Sequence, residues 1–63
     1  MTLKERRKAA GLTQQELGTM IGVDQSAIHL WEAGKTKPRK AHLAELAKLY
    51  KCSEKELTQD LDQ

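Results

Sequence analysis

The sequence predicts an all-α domain of five short helices. Three observations lead there. Helix-start signals recur along the chain, glycines stand at the matching stops, and strand signals are missing, with no Phe and no alternating β-branched run. A length of 63 residues allows one domain. At that size a single core is marginal, so close helix packing or association has to help.

Thr2 and Glu5 have the spacing of a capping box, in which hydroxyl and carboxylate satisfy free backbone N–H groups reciprocally. They start a helix over about residues 2–10, which Gly11 ends. Thr13 and Glu16 repeat the box and start a second helix over about 14–21, closed by Gly22. Asp24 stands where an N-cap belongs, its carboxylate able to accept first-turn N–H groups of a helix over about 25–33 that Gly34 closes. Pro38 suits the approach to a fourth helix over about 40–50. Ser53 and Glu56 form a third box, starting a fifth helix over about 54–60. The 3.6-residue period then selects a core of Leu3, Ala10, Leu12, Leu17, Ile21, Val23, Ile28, Trp31, Leu43, Leu46, Ala47, Tyr50, Cys52 and Leu57.

The stretch from Gly22 to Ala33 says most about function. Ala27, Ile28 and Trp31 fall on one face of its helix, while Gln25, Ser26, His29 and Leu30 point elsewhere. A short helix that buries one side and offers Gln and Ser from its first turn suits reading base edges in a DNA groove. Charge distribution agrees with that reading, although an ordinary solvated surface would look similar. Residues 1–40 carry eight cations against four acids, and residues 41–63 carry three against five. A basic first part holding the candidate reading helix fits attraction to a phosphate backbone.

Arg7 shares a stripe with Leu3 and Ala10, so its charge is turned inward and needs a partner. Glu32, on the inner side of the third helix beside Trp31, is the economical one. The alternative is that both lie at helix ends and reach water. A single cysteine excludes an internal disulfide, and Cys52 reads as a buried, inert thiol. One cysteine and two scattered histidines give no metal site, His42 is placed on the exposed side of the fourth helix without a role, and no cofactor is expected. No residue pair has the geometry of a nucleophile with its base, so an enzyme is not expected. The longest apolar run is far too short to span a bilayer and no signal-peptide pattern opens the chain.

The run LTQQELGTMIGVDQSAIHLWEAGKTKPR resembles the helix-turn-helix domain of the phage-repressor and Cro family, also called XRE-like. Arg7 four residues before Gly11, Leu17, Gly22, Trp31 to Gly34 and Pro38 after a basic loop carry the likeness, which extends over the last two helices. It implies a lambda-repressor-like five-helix domain over residues 1–63, with the motif at about 14–33 and the recognition helix at about 25–33. It further implies that Thr13 and Gln14 meet DNA phosphate and that Gln14 braces Gln25. A Gln amide can pair bidentately with adenine, which puts Gln25 first among base readers. Ser26 contacts a base or a phosphate, and His29 lies one turn on. Leu30 touches a thymine methyl or covers a neighbouring side chain. Lys35, Lys37 and Arg39, in the loop before Lys40, follow the DNA backbone in such a family. Glu32 and Arg7 match its buried acid and partner. Gly18 departs from the pattern, which usually has Ala there.

These readings lead to a sequence-specific regulator of transcription, a repressor, binding a pseudo-palindromic site on double-stranded DNA as a homodimer. As a prokaryotic or phage-encoded protein, its expected place is the cytoplasm, on the nucleoid when bound, with no membrane partner. Leu49, Leu57 and Leu61 are the expected dimer contacts, unless the last two fold onto their own core. The other class of function is an antitoxin-like module whose main partner is a protein, for which Leu30, Leu49 and Leu61 are the available apolar surface.

Overall fold

The computed structural model describes residues 1–61. Its helices are α1 (Leu3–Ala9), α2 (Gln14–Ile21), α3 (Gln25–Glu32), α4 (Lys40–Tyr50) and α5 (Glu54–Leu61), with no strand among the described residues. The first two capping boxes form in full: Thr2 Oγ1 accepts from Glu5 N–H at 3.1 Å and Thr13 Oγ1 from Glu16 N–H at 3.0 Å, while each Glu accepts in return. At α5, Ser53 accepts from the Glu56 N–H at 3.1 Å, but the Glu56 carboxylate takes the Ser53 hydroxyl instead of its backbone N–H. Asp24 has the extended backbone of an N-cap, φ −69° and ψ 151°, yet its side chain makes no cap bond, contrary to the expected role.

Four helices close alike. A left-handed residue comes after each, and the next N–H bonds the carbonyl five residues back: Leu12 to Arg7, Val23 to Gly18, Lys35 to Leu30 and Cys52 to Ala47. Gly11, Gly22 and Gly34 supply the left-handed residue three times. After α4 it is Lys51, at φ 55°, a stop with no glycine to announce it.

The buried core is Leu3, Leu17, Ile28, Trp31, Leu46, Ala47 and Leu57, all expected from the helical period. Leu12, Ile21, Val23, Leu43, Tyr50 and Cys52 pack around it, half-buried. Ala10 is a correction: α1 ends before it, its φ and ψ of −81° and −4° no longer carry the helical stripe inward, and it is exposed. Leu57 is another, since it is 0% exposed and has no surface left for a dimer contact. Gly18 is buried where α2 meets the turn into α3, and a Cβ there would stand 2.6 Å from the Val23 carbonyl oxygen. The turn thus sits closer to α2 than the alanine of the usual pattern would permit.

Candidate functional site

Helix α3 is held from behind and open in front. Ile28 and Trp31 anchor it at 1% and 7% exposure. Beside them Glu32 receives Arg7 through two bonds, Nε to Oε2 at 2.7 Å and Nη2 to Oε1 at 3.2 Å. Both side chains are nearly sealed from water. Arg7 also donates to the Leu12 carbonyl at 2.8 Å, and Gln14 Nε2 donates to Glu32 Oε1 at 3.0 Å. One carboxylate therefore joins α1, α2 and α3. The hydrogen bond to Glu32 raises the Arg7 pKa despite the opposing cost of burial. Tyr50 lies close enough to feel both charges, and burial, with the Glu32 charge second, pushes its phenol up to about 12.

The inward ion pair expected from spacing is present. The bracing of Gln25 by Gln14 is not what forms: the Gln14 amide N–H donates to Glu32, whose charged carboxylate is a stronger acceptor than a neutral amide oxygen. The half-buried Gln14 keeps a second N–H for a ligand oxygen.

On the front of α3, Gln25, Ser26 and His29 are exposed. Spacings of three and four residues bring their side chains onto one patch. Leu30 is half-buried at its edge. Among the described residues, none of Asp24, Gln25, Ser26 and His29 has a side chain in a hydrogen bond or ion pair. Thr13, Lys35, Lys37 and Arg39 are exposed as well, so the turn before α2 and the loop after α3 carry a hydroxyl and cationic side chains at the surface. The patch can donate and accept hydrogen bonds in several directions at once.

Around this site, spacing misplaces two more residues. It assigns Asp24 to a cap that the side chain does not make, and only side-chain geometry reveals that. His42 is not on the outside of α4: it is half-buried, its ring centroid lies 5.6 Å from that of Trp31, and its Nδ1 is buried without a hydrogen-bond partner. Burial raises the pKa of the half-buried Cys52, which keeps the thiol protonated and unreactive. No group of His, Cys, Asp and Glu able to hold a metal occurs among the described residues.

A sequence model of the helix-turn-helix family matches residues 3–57. The chain belongs to the phage-repressor-like helix-turn-helix family. It is 39% identical over 51 residues to the repressor protein C2 of Salmonella phage P22, a match that covers 81% of this chain and 24% of that protein. The chain thus spans about a quarter of that relative's length. The solution structure of the DNA-binding domain of the P22 C2 repressor superposes with a TM-score of 0.79 at 38% identity, over 89% of this chain and 74% of that one. The fold is lambda-repressor-like, five helices around one small core.

Proposed function

We infer that the chain is a sequence-specific DNA-binding transcriptional regulator, a repressor, that binds a pseudo-palindromic operator as a homodimer with α3 in the major groove. The observation that carries this is the unbonded front of α3. Gln25, Ser26 and His29 are exposed on a helix whose back is fixed by Ile28, Trp31 and the Arg7–Glu32 pair. Polar side chains on a rigid support are what base-edge recognition requires. The likeness to the DNA-binding domain of the C2 repressor supports the same reading. Gln25 is the main base reader, with Ser26, His29 and Leu30 beside it. Thr13, Gln14, Lys35, Lys37 and Arg39 take the phosphates, fixing orientation without reading sequence.

One such helix reads only a few base pairs, so two half-sites about one helical turn apart are needed. The second copy meets the surface formed by Met20, Ile21 and Leu49. Met20 is 56% exposed, and Glu45 and Lys48 beside it form no ion pair among the described residues. An acid and a base one turn apart on α4 can pair with their counterparts across a two-fold axis. Of the leucines expected to contribute, Leu49 lies on this surface, whereas half-buried Leu61 lies beside Trp31 and Leu3. The cytoplasm, on the nucleoid, is the corresponding location, and no described helix is long and apolar enough to cross a membrane.

Selection of random duplex DNA by the purified protein tests the function. An enriched inverted repeat is expected, and recovery of no motif at low salt would sink the operator reading. Gln25→Ala should relax preference at one symmetric pair of positions. Arg39→Ala should weaken all sequences alike and reduce the salt slope by about two, one phosphate contact being lost from each subunit of the dimer. Sedimentation of the free protein tests the dimer surface: Met20→Lys should lower self-association, and unchanged association would place the contact elsewhere.

A further inference from the structure

The head of α3 carries a carboxylate that makes no cap bond. Thr2 and Thr13 each accept a free N–H at the start of their helix, whereas Asp24 occupies the same backbone position and accepts none. It is exposed, makes no side-chain hydrogen bond or ion pair among the described residues, and directly precedes Gln25. An acid at that place has a cost, because it is the wrong charge for a phosphate backbone.

We propose that Asp24 determines specificity by accepting a hydrogen bond from the exocyclic amino group of a cytosine next to the base pair read by Gln25. This rests on the DNA-reading function above. A carboxylate only accepts, and the major groove offers donors on cytosine N4 and adenine N6 alone. Adenine sets its acceptor N7 beside that amino group, against the second carboxylate oxygen, whereas the cytosine amino group has only a C–H beside it. Guanine O6 and N7 and thymine O4 face the acid with further acceptors, so it would lose water and gain nothing. Asp24 therefore acts largely by rejecting wrong bases. Its exposed position, free of the cap bond, leaves the side chain available for this.

The experiment is the same selection, run with the wild type, Asp24→Ala, Asp24→Asn and Gln25→Ala, alongside a thermal melt of each. The wild type should enrich cytosine at one symmetric pair of positions adjacent to those that Gln25→Ala relaxes. Asp24→Ala should lose about ten-fold preference or more at that pair alone, and should bind non-cognate duplexes more tightly. Asp24→Asn should move the preference there toward adenine, which an amide can pair bidentately. Melting temperature should stay within a few degrees. Wild-type preferences retained by Asp24→Ala at every position would overturn the proposal while leaving the DNA-reading function intact. A lowered melting temperature with unchanged preferences would return Asp24 to the helix cap. No motif from the wild type would remove both readings.

Discussion

Replacing Arg7 with Met should come close to unfolding this protein. The methionine fits the space of the side chain's stem but leaves Glu32, whose side chain is 6% exposed, with Gln14 as its remaining side-chain donor. It also leaves the Leu12 carbonyl without its guanidinium donor. Breaking a buried pair from one side costs about 3–5 kcal/mol, because the surviving charge stays desolvated. A chain of 63 residues has a total stability of only about 3–9 kcal/mol at typical values per residue. The perturbation is therefore comparable with the whole. Urea unfolding followed through the fluorescence of Trp31, the only tryptophan, and through far-ultraviolet circular dichroism measures it. The expected result is a midpoint near or below zero denaturant, or a melting temperature lowered by at least about 12 °C. The double variant Arg7→Met with Glu32→Leu should recover most of the loss, since an apolar pair removes the stranded charge. A loss below about 1 kcal/mol in the single variant would be of the size found for exposed pairs and would refute the burial argument.

Gly18→Ala should lower the melting temperature even though alanine favours helix by about 1 kcal/mol, because its Cβ would meet the Val23 carbonyl at 2.6 Å; a raised melting temperature would show that the turn can move away. Tyr50 links stability to alkaline pH. Folded, it keeps its proton to about 12, against 10.0 ordinarily, so above that ordinary value the unfolded chain binds fewer protons and stability falls as pH rises. Its contribution is intact below pH 10 and lost through pH 12, and Tyr50→Phe should flatten that part of a stability–pH profile; an identical slope in the variant would reject the assignment. Lys51→Gly should stabilise by about 1 kcal/mol, since a left-handed backbone strains any residue with a Cβ; urea unfolding gives the value, and a loss would mean the lysine side chain contributes contacts of its own.

Helix starts and stops are legible in the sequence because each depends on atoms within a few residues. Thr2 with Glu5 and Thr13 with Glu16 form their boxes with no help from the rest of the chain. The Arg7–Glu32 pair is also legible, from the incongruity of a charge on an apolar stripe. What escapes depends on tertiary packing or rotamer choice. Lys51 stops α4 in a left-handed conformation that Cys52 stabilises by bonding back to Ala47, and its residue type gives no sign of this. Periodicity places Ala10 inside because it assumes that a helix continues, and α1 has already ended at Ala9. His42 has the polarity of a surface residue, yet its ring rests near Trp31. At the candidate site, composition identifies the exposed residues of α3, while the free carboxylate of Asp24 and the true partner of Gln14 need side-chain positions.

The four helix closures differ in the residue that comes next. Leu12, Val23 and Cys52, after α1, α2 and α4, are apolar or weakly polar side chains that tuck against the core. After α3 the corresponding residue is the exposed Lys35. Three closures are thus plugged and one is not. Opening a plugged closure exposes core surface as well as breaking hydrogen bonds, whereas the junction at Gly34 and Lys35 breaks hydrogen bonds that water can replace. Local opening should therefore be easiest there, and amide hydrogens of the α3–α4 connection should exchange before those of the other three. The loop from Lys35 to Arg39 can then move while α3 keeps its seat on Ile28 and Trp31, which separates the adaptable part of this face from the fixed part.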